Sequence, residues 1–244
     1  MRGIDLIASF ELEINKLDDA IRKPVTDDSL YWINQAVMKF VRDRFNGNAP
    51  KRTSYEQNEK RTRDLVKLLK EFTVVFYSMP DLHDETYVRK DEVYTSEDYV
   101  HANLDDPTAG FYTEHEDYDI YEYNYPADLL YVLNEDVVIS DLDGDYKTDT
   151  CVFECTADNF MYRINNSLTD FHYRYHRARP LRIRTNDGFR LLTDKNYKIN
   201  TYTLGYLKIP TEVTAQDPEM EYTDFDDNTW LEIIKIAAQM YVEN

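Results

Sequence analysis

The sequence predicts an α+β protein with N- and C-terminal helices forming a bundle and a central antiparallel β-rich region. Apolar residues recur at three- and four-residue steps near both ends of the 244-residue chain, which is the period of an amphipathic helix. β-Branched and aromatic runs fill the middle. The turn sequence Asn186-Asp187-Gly188 separates two of these runs, as in a β-hairpin.

Residues 1–72 are predicted to be helical. Pro24 ends the first helix, Gly47 ends the second, and a capping box from Ser54 to Gln57 begins the third. The second helix has three candidate N-caps, Asp27, Asp28 or Ser29. The apolar stripes of the three helices are, in order, Ile7, Phe10, Ile14, Leu17 and Ile21; Leu30, Ile33, Val37, Phe40 and Val41; Leu65, Leu68, Leu69 and Phe72.

Residues 73–210 are predicted to form the β-rich region. Within it, 81–124 is acidic and weakly periodic, and we interpret it as a loop insertion with some short strands. The last three strands are expected to form an antiparallel meander with turns at 186–188 and 194–196. The strand sequences are TVVFYSM (73–79), YVLNEDVVI (131–139), TCVFECT (150–156), LRIRT (181–185), FRLLT (189–193) and YKINTYTLGYLKI (197–209).

Residues 211–244 return to helix, with a capping box formed by Thr229 and Glu232. The apolar face of this helix includes Trp230, Ile234 and Tyr241. One amphipathic helix cannot bury such a face alone, so we expect it to pack on the N-terminal helices.

The charge of the chain is concentrated in one block. The net charge is −19, and residues 81–145 hold 20 Asp and Glu against 2 Lys and Arg. Such a field repels nucleic acid and disfavours general DNA binding. The sequence shows no secretory signal and no run of about 20 apolar residues, so we expect a chain made in the reducing cytoplasm, with no membrane partner.

Two residue sets resemble metal sites. Asp141, Asp143, Asp145 and Asp149 match four ligand positions of a calcium loop, but Tyr146 replaces the required Gly, and Val152 replaces the bidentate Glu. This pattern favours an acidic turn between two strands. Separately, the pairs Cys151/Cys155 and His172/His176 supply zinc-ligand types, with a spacing that favours core cysteines and surface histidines instead.

A basic run with interleaved aromatics follows the cysteines. Arginine with aromatic residues can grip nucleic acid, but the same mixture is preferred at protein interfaces, and the acidic block supplies a complementary surface on a neighbouring copy. We therefore expect intersubunit contacts from four arginines, Arg177, Arg179, Arg182 and Arg184. The sequence has no nucleophile elbow, phosphate loop or zincin motif, so no residue pattern supports catalysis.

The chain as a whole resembles the virion ring proteins, or head–tail connector (adaptor) proteins, of tailed bacteriophages, especially crAss-like phages. The resemblance rests on ordered fragments spanning most of the chain: DDSLYWINQAVMKFVRDRFNG (27–47), KRTSYEQNEKRTRDLVKLL (51–69), YPADLLYVLNEDVVI (125–139), HRARPLRIR (176–184), NYKINTYTLGYLKIP (196–210) and LEIIKIAAQMYVEN (231–244). The acidic stretch 81–124 carries no part of it.

The resemblance implies a non-enzymatic structural protein of the portal–tail junction, with no catalytic residues, no metal and no cofactor. Such proteins form homo-oligomeric rings, typically dodecamers of about 12 copies, through which DNA passes as cargo during ejection. The implied partners are other copies, the portal protein, and further ring or tail proteins of the virion. The alternative from the residues themselves is a monomeric acidic binding module, such as a DNA mimic whose carboxylates stand in for phosphates.

Overall fold

A computed structural model gives the fold, and it describes residues 1–17, 23–46, 63–78, 86–89, 92–95, 109–114, 118–142, 147–156, 158–159, 179–186, 188–216 and 219–243. The protein is α+β, as predicted. It divides into a helical unit, residues 1–69 with 207–244, and a β unit, residues 70–206.

The helical unit consists of α1 (Gly3–Leu17), α2 (Thr26–Asn46) and α3 (Asp227–Val242). Both N-terminal helices pack on α3, which confirms the predicted bundle. Aromatic rings fill its centre: Phe225 makes edge-to-face contacts with Phe40 and Trp230, at centroid distances of 5.9 and 5.2 Å. The guanidinium of Arg44 lies 4.6 Å from the Phe40 ring centroid and pairs with Asp64 and Glu232.

The helix starts differ from the predicted ones. Helix α2 begins at Thr26, and the hydroxyl of Ser29 donates to the carbonyl of Val25 from inside the first turn. Helix α3 begins at Asp227, so the predicted capping box at Thr229 is wrong. A preceding residue, Asp226, occupies the N-cap without a side-chain capping bond, because its carboxylate pairs with Lys67 instead. The predicted box at 54–57 lies outside the described residues.

The third predicted helix is only partly correct. Residues 63–65 are helical and Val66–Leu68 form a 3₁₀ turn, but the chain becomes a strand at Leu69. Phe72 therefore belongs to a strand, because the β-branched and aromatic run that follows extends back over it. Leu65 and Leu68 are buried, as the predicted apolar stripe requires.

The β unit contains eleven strands among the described residues. Their bounds are β1 Leu69–Ser78, β2 Thr86–Arg89, β3 Glu92–Thr95, β4 Ala109–Glu114, β5 Asp119–Asn124, β6 Leu129–Ser140, β7 Lys147–Cys151, β8 Phe153–Cys155, β9 Leu181–Arg184, β10 Gly188–Thr193 and β11 Lys198–Lys208. β2 and β3 form a separate antiparallel pair.

The other nine strands are hydrogen-bonded in the order β7-β6-β11-β1-β4-β5-β10-β9-β8. Eight of these strands form two four-stranded sheets, β7-β6-β11-β1 and β4-β5-β10-β9, which are joined by the parallel pair β1–β4, and β8 extends the second sheet beside β9. Most of the described strand pairs are antiparallel, but β8 is parallel to β9.

The first and last strands of this order are consecutive in the chain. Only Val152 separates β7 from β8, yet β7 pairs with β6 at one edge while β8 pairs with β9 at the other. The two edges must therefore meet, and residues 147–155 close the sheet into a barrel. A barrel of about eight strands has an interior that side chains can fill.

Buried side chains of β1, β5, β6, β10 and β11 fill this interior. Tyr202 and Tyr123 stack with centroids 4.5 Å apart, and the hydroxyl of Tyr121 accepts a hydrogen bond from the amide of Ile199. The rest of the interior is mainly aliphatic and aromatic, including Val74, Val137, Ile139, Phe189, Leu191 and Leu204. Tyrosine suits such positions because its ring is apolar and its hydroxyl can be hydrogen-bonded.

Two predictions about the β region need correction. Residues 119–124 are not part of a loop: they form β5, a central strand whose Tyr121 and Tyr123 are buried. The meander is also wrong, because β10 pairs with β9 and β5, whereas β11 lies between β6 and β1. The turn signals at 186–188 and 194–196 fix where strands end but not which strands become neighbours.

The turns themselves match the prediction better. β9 and β10 form the expected hairpin, and Lys195 has a left-handed φ of 64° in the next turn. Gly188 is required for a different reason from the predicted one. An added Cβ there would lie 2.0 Å from the carbonyl oxygen of Tyr123, so the neighbouring backbone approaches too closely for any side chain.

Candidate intersubunit interface

The predicted interface arginines lie on or beside β9, and they do not share one environment. Arg184 is exposed at the end of the strand, and Arg179 is exposed before it. Arg182 has only 4% of its surface exposed. Arg177 lies outside the described residues.

Arg182 points into the barrel because it is paired in register with Leu191, an interior residue of β10. Its Nη2 lies 2.8 Å from Oε2 of Glu135 on β6, and its Nη1 lies 3.3 Å from Oε1 of Glu154 on β8. The guanidinium also lies 4.9 Å from the ring centroid of Phe189. These contacts span the strands that meet where the barrel closes.

The other oxygen of Glu135 is also occupied. The hydroxyl of Tyr202 donates to it over 2.6 Å, so both carboxylate oxygens have donors and the side chain is only 12% exposed. A buried ion pair of this kind is stable only when its remaining hydrogen-bonding atoms are satisfied. Arg182, Glu135 and Tyr202 therefore form one linked group, which we call the interior charge cluster.

Burial and charge act in opposite directions on this cluster. Burial alone would lower the pKa of Arg182, but the carboxylates of Glu135 and Glu154 outweigh it and raise that pKa. Burial is the main cause that raises the pKa of the Tyr202 hydroxyl, and the Glu135 carboxylate adds to it. The cluster thus holds a charged arginine and a neutral tyrosine throughout the physiological range.

The prediction for Arg182 must be corrected accordingly, since a buried guanidinium with partners in its own chain has nothing to offer another subunit. Alternation with the apolar residues Leu181 and Ile183 would place Arg182 on the solvent side of a strand that has only one covered face. Both faces of β9 are in fact covered. Leu181 belongs to a second small cluster with Cys155 and Leu192, against which Ile183 packs.

The sequence contained a signal for the partner of Arg182. Glu135 alternates with Val137 and Ile139, both buried interior residues, so the period of two places its carboxylate inside as well. An inward acid on one strand requires an inward base on another. The identity of that base depended on barrel closure, which strand periodicity does not reveal.

Some of the oppositely charged residues form ion pairs within a single chain. Arg190 pairs with Glu122 across β10 and β5. Asp128 accepts hydrogen bonds from Lys70 at 2.6 Å and from the hydroxyl of Tyr206 at 2.8 Å. Burial would raise the pKa of Asp128, but these two donors outweigh it and lower that pKa, and burial together with the carboxylate raises the pKa of Tyr206 to about 12.

The metal-like residue sets do not come together in the described residues. β6 and β7 pair antiparallel up to Ser140 and Lys147, so residues 141–146 connect neighbouring strands, as the turn interpretation expects. Asp143 and Asp145 lie outside the described residues, as do His172 and His176. Cys151 is exposed and Cys155 buried, and no group of three or more potential metal ligands occurs in the part of the chain that the structure describes.

No protein-family model matches the sequence of the chain, and no curated protein matches it either. Among the described helices, none combines the length and apolar character that a membrane span requires.

Proposed function

We propose that this chain is a non-enzymatic structural protein of a tailed bacteriophage virion, forming an oligomeric ring at the portal–tail junction. The observation that carries the proposal is the separation of charge along the chain. Residues 81–145 hold 20 acids and 2 bases, while the remainder is nearly balanced with 27 and 26. Oppositely charged surfaces on identical subunits favour head-to-tail contacts. Such contacts generate a ring when the rotation that relates neighbouring subunits closes on itself.

Fewer arginines are exposed for the basic side of this contact than the sequence predicts. Arg182 is buried and paired with Glu135, and the exposed Arg190 is paired with Glu122. Arg179 and Arg184 are exposed beside and on β9. We assign the intersubunit role to Arg184 first, because it lies at the end of a strand held in the closed barrel. A rigid support lowers the entropy cost of forming the contact.

A ring at this position would conduct DNA without holding it. Carboxylates lining a channel repel phosphates, so duplex DNA passes as cargo rather than as a bound ligand. The partners would be further copies, the portal protein and neighbouring ring or tail proteins. The chain would act in the virion after synthesis in the host cytoplasm, with no membrane, metal or cofactor involved.

Native mass spectrometry and negative-stain imaging of the purified protein, with and without portal, test this proposal. Arg184→Glu should reduce the ring fraction several-fold without changing the melting temperature. Lys198→Glu makes the same charge change at another exposed position of the β unit and serves as the matched control. Unchanged rings in the Arg184 variant would remove that residue from the interface.

The same measurements distinguish the ring from the alternative function, a monomeric acidic binding module. A chain that stays monomeric with portal and competes with DNA for a basic protein would establish the acidic binding module instead. Ring formation that weakens between about 0.15 and 1 M salt would support charge-driven docking, because screening lengths fall from about 8 to 3 Å over that range.

A further inference from the structure

Arg184 lies on the interior face of the barrel rather than on its outer wall. It is paired in register with Phe189 of β10, an interior residue that is only 1% exposed. Side chains two apart on a strand lie on the same face, so Arg184 shares the face of Arg182. Unlike Arg182, it is exposed, because β9 ends there. Solvent therefore reaches this end of the interior, at Tyr125, Arg184 and Phe189, which we call the barrel mouth.

Two aromatic rings support the guanidinium at the barrel mouth. Its carbon Cζ lies 5.8 Å from the ring centroid of Phe189. The Tyr125 ring packs edge-to-face on Phe189 at a centroid distance of 4.5 Å, and its hydroxyl donates to the carbonyl of Thr185 over 3.1 Å. Burial raises the pKa of this hydroxyl, whereas the charges of Arg184 and Arg182 act to lower it. A guanidinium held against a ring keeps its N–H edge for a ligand.

The described residues place more positive than negative charge on this interior face. Arg182 lies 4.9 Å from the centroid of the same Phe189 ring, and Glu135 neutralises it. Both oxygens of Glu135 already accept hydrogen bonds, one from Arg182 and one from Tyr202. Arg184 forms no ion pair among the described residues. Two guanidiniums therefore share one interior carboxylate, which favours the binding of a further anion beside the second.

A carboxylate side chain fits this position better than duplex DNA does. A carboxylate accepts two parallel hydrogen bonds from one guanidinium, so a single residue forms a complete contact. Binding of DNA instead depends on several phosphate contacts, and the net charge of −19 opposes it. The chain itself carries carboxylates in excess, with 20 Asp and Glu against 2 Lys and Arg in residues 81–145.

We propose that the barrel mouth binds an aspartate or glutamate side chain from residues 81–145 of a second copy of this chain, through a bidentate ion pair with Arg184. This inference rests on the proposed function and gives its head-to-tail contact a geometry. An acidic side chain of one subunit inserts at the end of its neighbour's barrel instead of lying against the outer wall. On that wall, Arg190 is already paired with Glu122 of its own chain.

Carbodiimide crosslinking of rings formed by Arg184→Lys tests the contact. The substitution keeps the charge and supplies an amine that the reagent couples to a carboxylate in direct contact with it. Rings assembled from a mixture of isotope-labelled and unlabelled chains distinguish crosslinks between copies from crosslinks within one copy. We expect mass spectrometry to find residue 184 joined to an acidic residue of 81–145 in another copy. The ring fraction should fall about two- to threefold, because lysine lacks the planar fork of arginine.

Arg190→Lys is the matched control, since it makes the same substitution on the neighbouring strand. Its amine should be crosslinked within its own chain, to Glu122. Rings in which residue 184 is joined to its own chain, or to no carboxylate, would overturn this contact and leave the ring itself standing. A chain that stays monomeric would overturn both. Duplex DNA binding that Arg184→Glu abolishes would assign the barrel mouth to phosphate and refute the carboxylate.

Discussion

Replacing Arg182 with Met tests the account of the barrel interior most directly. The substitution keeps most of the side-chain length but removes the guanidinium that contacts Glu135 at 2.8 and 3.1 Å. It leaves a carboxylate that is 12% exposed without its cation. The perturbation therefore isolates the electrostatic part of the interior charge cluster.

The expected cost follows from burial. Removing one partner of a buried ion pair destabilises a protein by about 3–5 kcal/mol, because the other charge stays desolvated. The contact with Glu154 adds little, since that side chain is 66% exposed. We therefore expect Arg182→Met to lower the free energy of unfolding by about 3–5 kcal/mol.

The double variant Arg182→Met/Glu135→Gln removes both charges. It also keeps an amide oxygen to accept the hydrogen bond from Tyr202. At least half of the lost stability should return, because no buried charge remains unpaired.

Urea unfolding followed by far-UV circular dichroism measures these effects, and hydrogen exchange of peptides from β6 and β9 localises them. Arg184→Met, two residues along the same strand but exposed, should cost no more than about 0.5 kcal/mol. A loss below about 1 kcal/mol for Arg182→Met, or a double variant no more stable than the single one, would refute a buried, paired role.

Three further predictions concern individual residues. Gly188→Ala should cost about 1–3 kcal/mol in urea unfolding, since its Cβ meets backbone, whereas Gly205→Ala meets a movable side chain and should cost less. The lowered pKa of Asp224 gives stability that is complete above about pH 4 and lost as pH falls further; Asp224→Asn should flatten the acid limb of thermal melts. A thiol reagent should label exposed Cys151 in the native chain, but buried Cys155 only after unfolding.

The acid sensitivity of Asp224 has a clear structural origin. Burial alone would raise its pKa, but the Lys208 ammonium at 2.5 Å and the Thr211 amide at 2.6 Å stabilise the carboxylate and lower the pKa. An equal pH dependence in the parent and Asp224→Asn would contradict this assignment.

Local patterns predicted the elements whose residues share one buried face. The stripes of α2 and α3 and the alternating strand β6 were found because burial imposes the helix or strand period on the sequence. β5 was missed because acidic and Tyr-rich flanks hide the alternation of Tyr121, Tyr123 and their polar neighbours.

Long-range pairing could not be predicted in the same way. Nothing local indicates that β11 lies beside β1, or that β8 reaches β9. The same limit applied to Arg182, whose inward orientation depends on a partner strand 47 residues away in sequence. The exposure of Arg179 and Arg184, by contrast, agrees with their polar character.

Closure through residues 147–155 has a consequence for folding kinetics. The β7 part of this segment pairs with β6 across the short connection 141–146, so it can form early, whereas the β8 part pairs with β9 only after more distant segments have been brought together against their chain entropy. Closure of the sheet therefore waits for this segment. Its detachment would expose the free edges of both neighbours at once, and unpaired strand edges recruit other chains. The nine-residue segment 147–155 would therefore influence both the rate of folding and the tendency to aggregate.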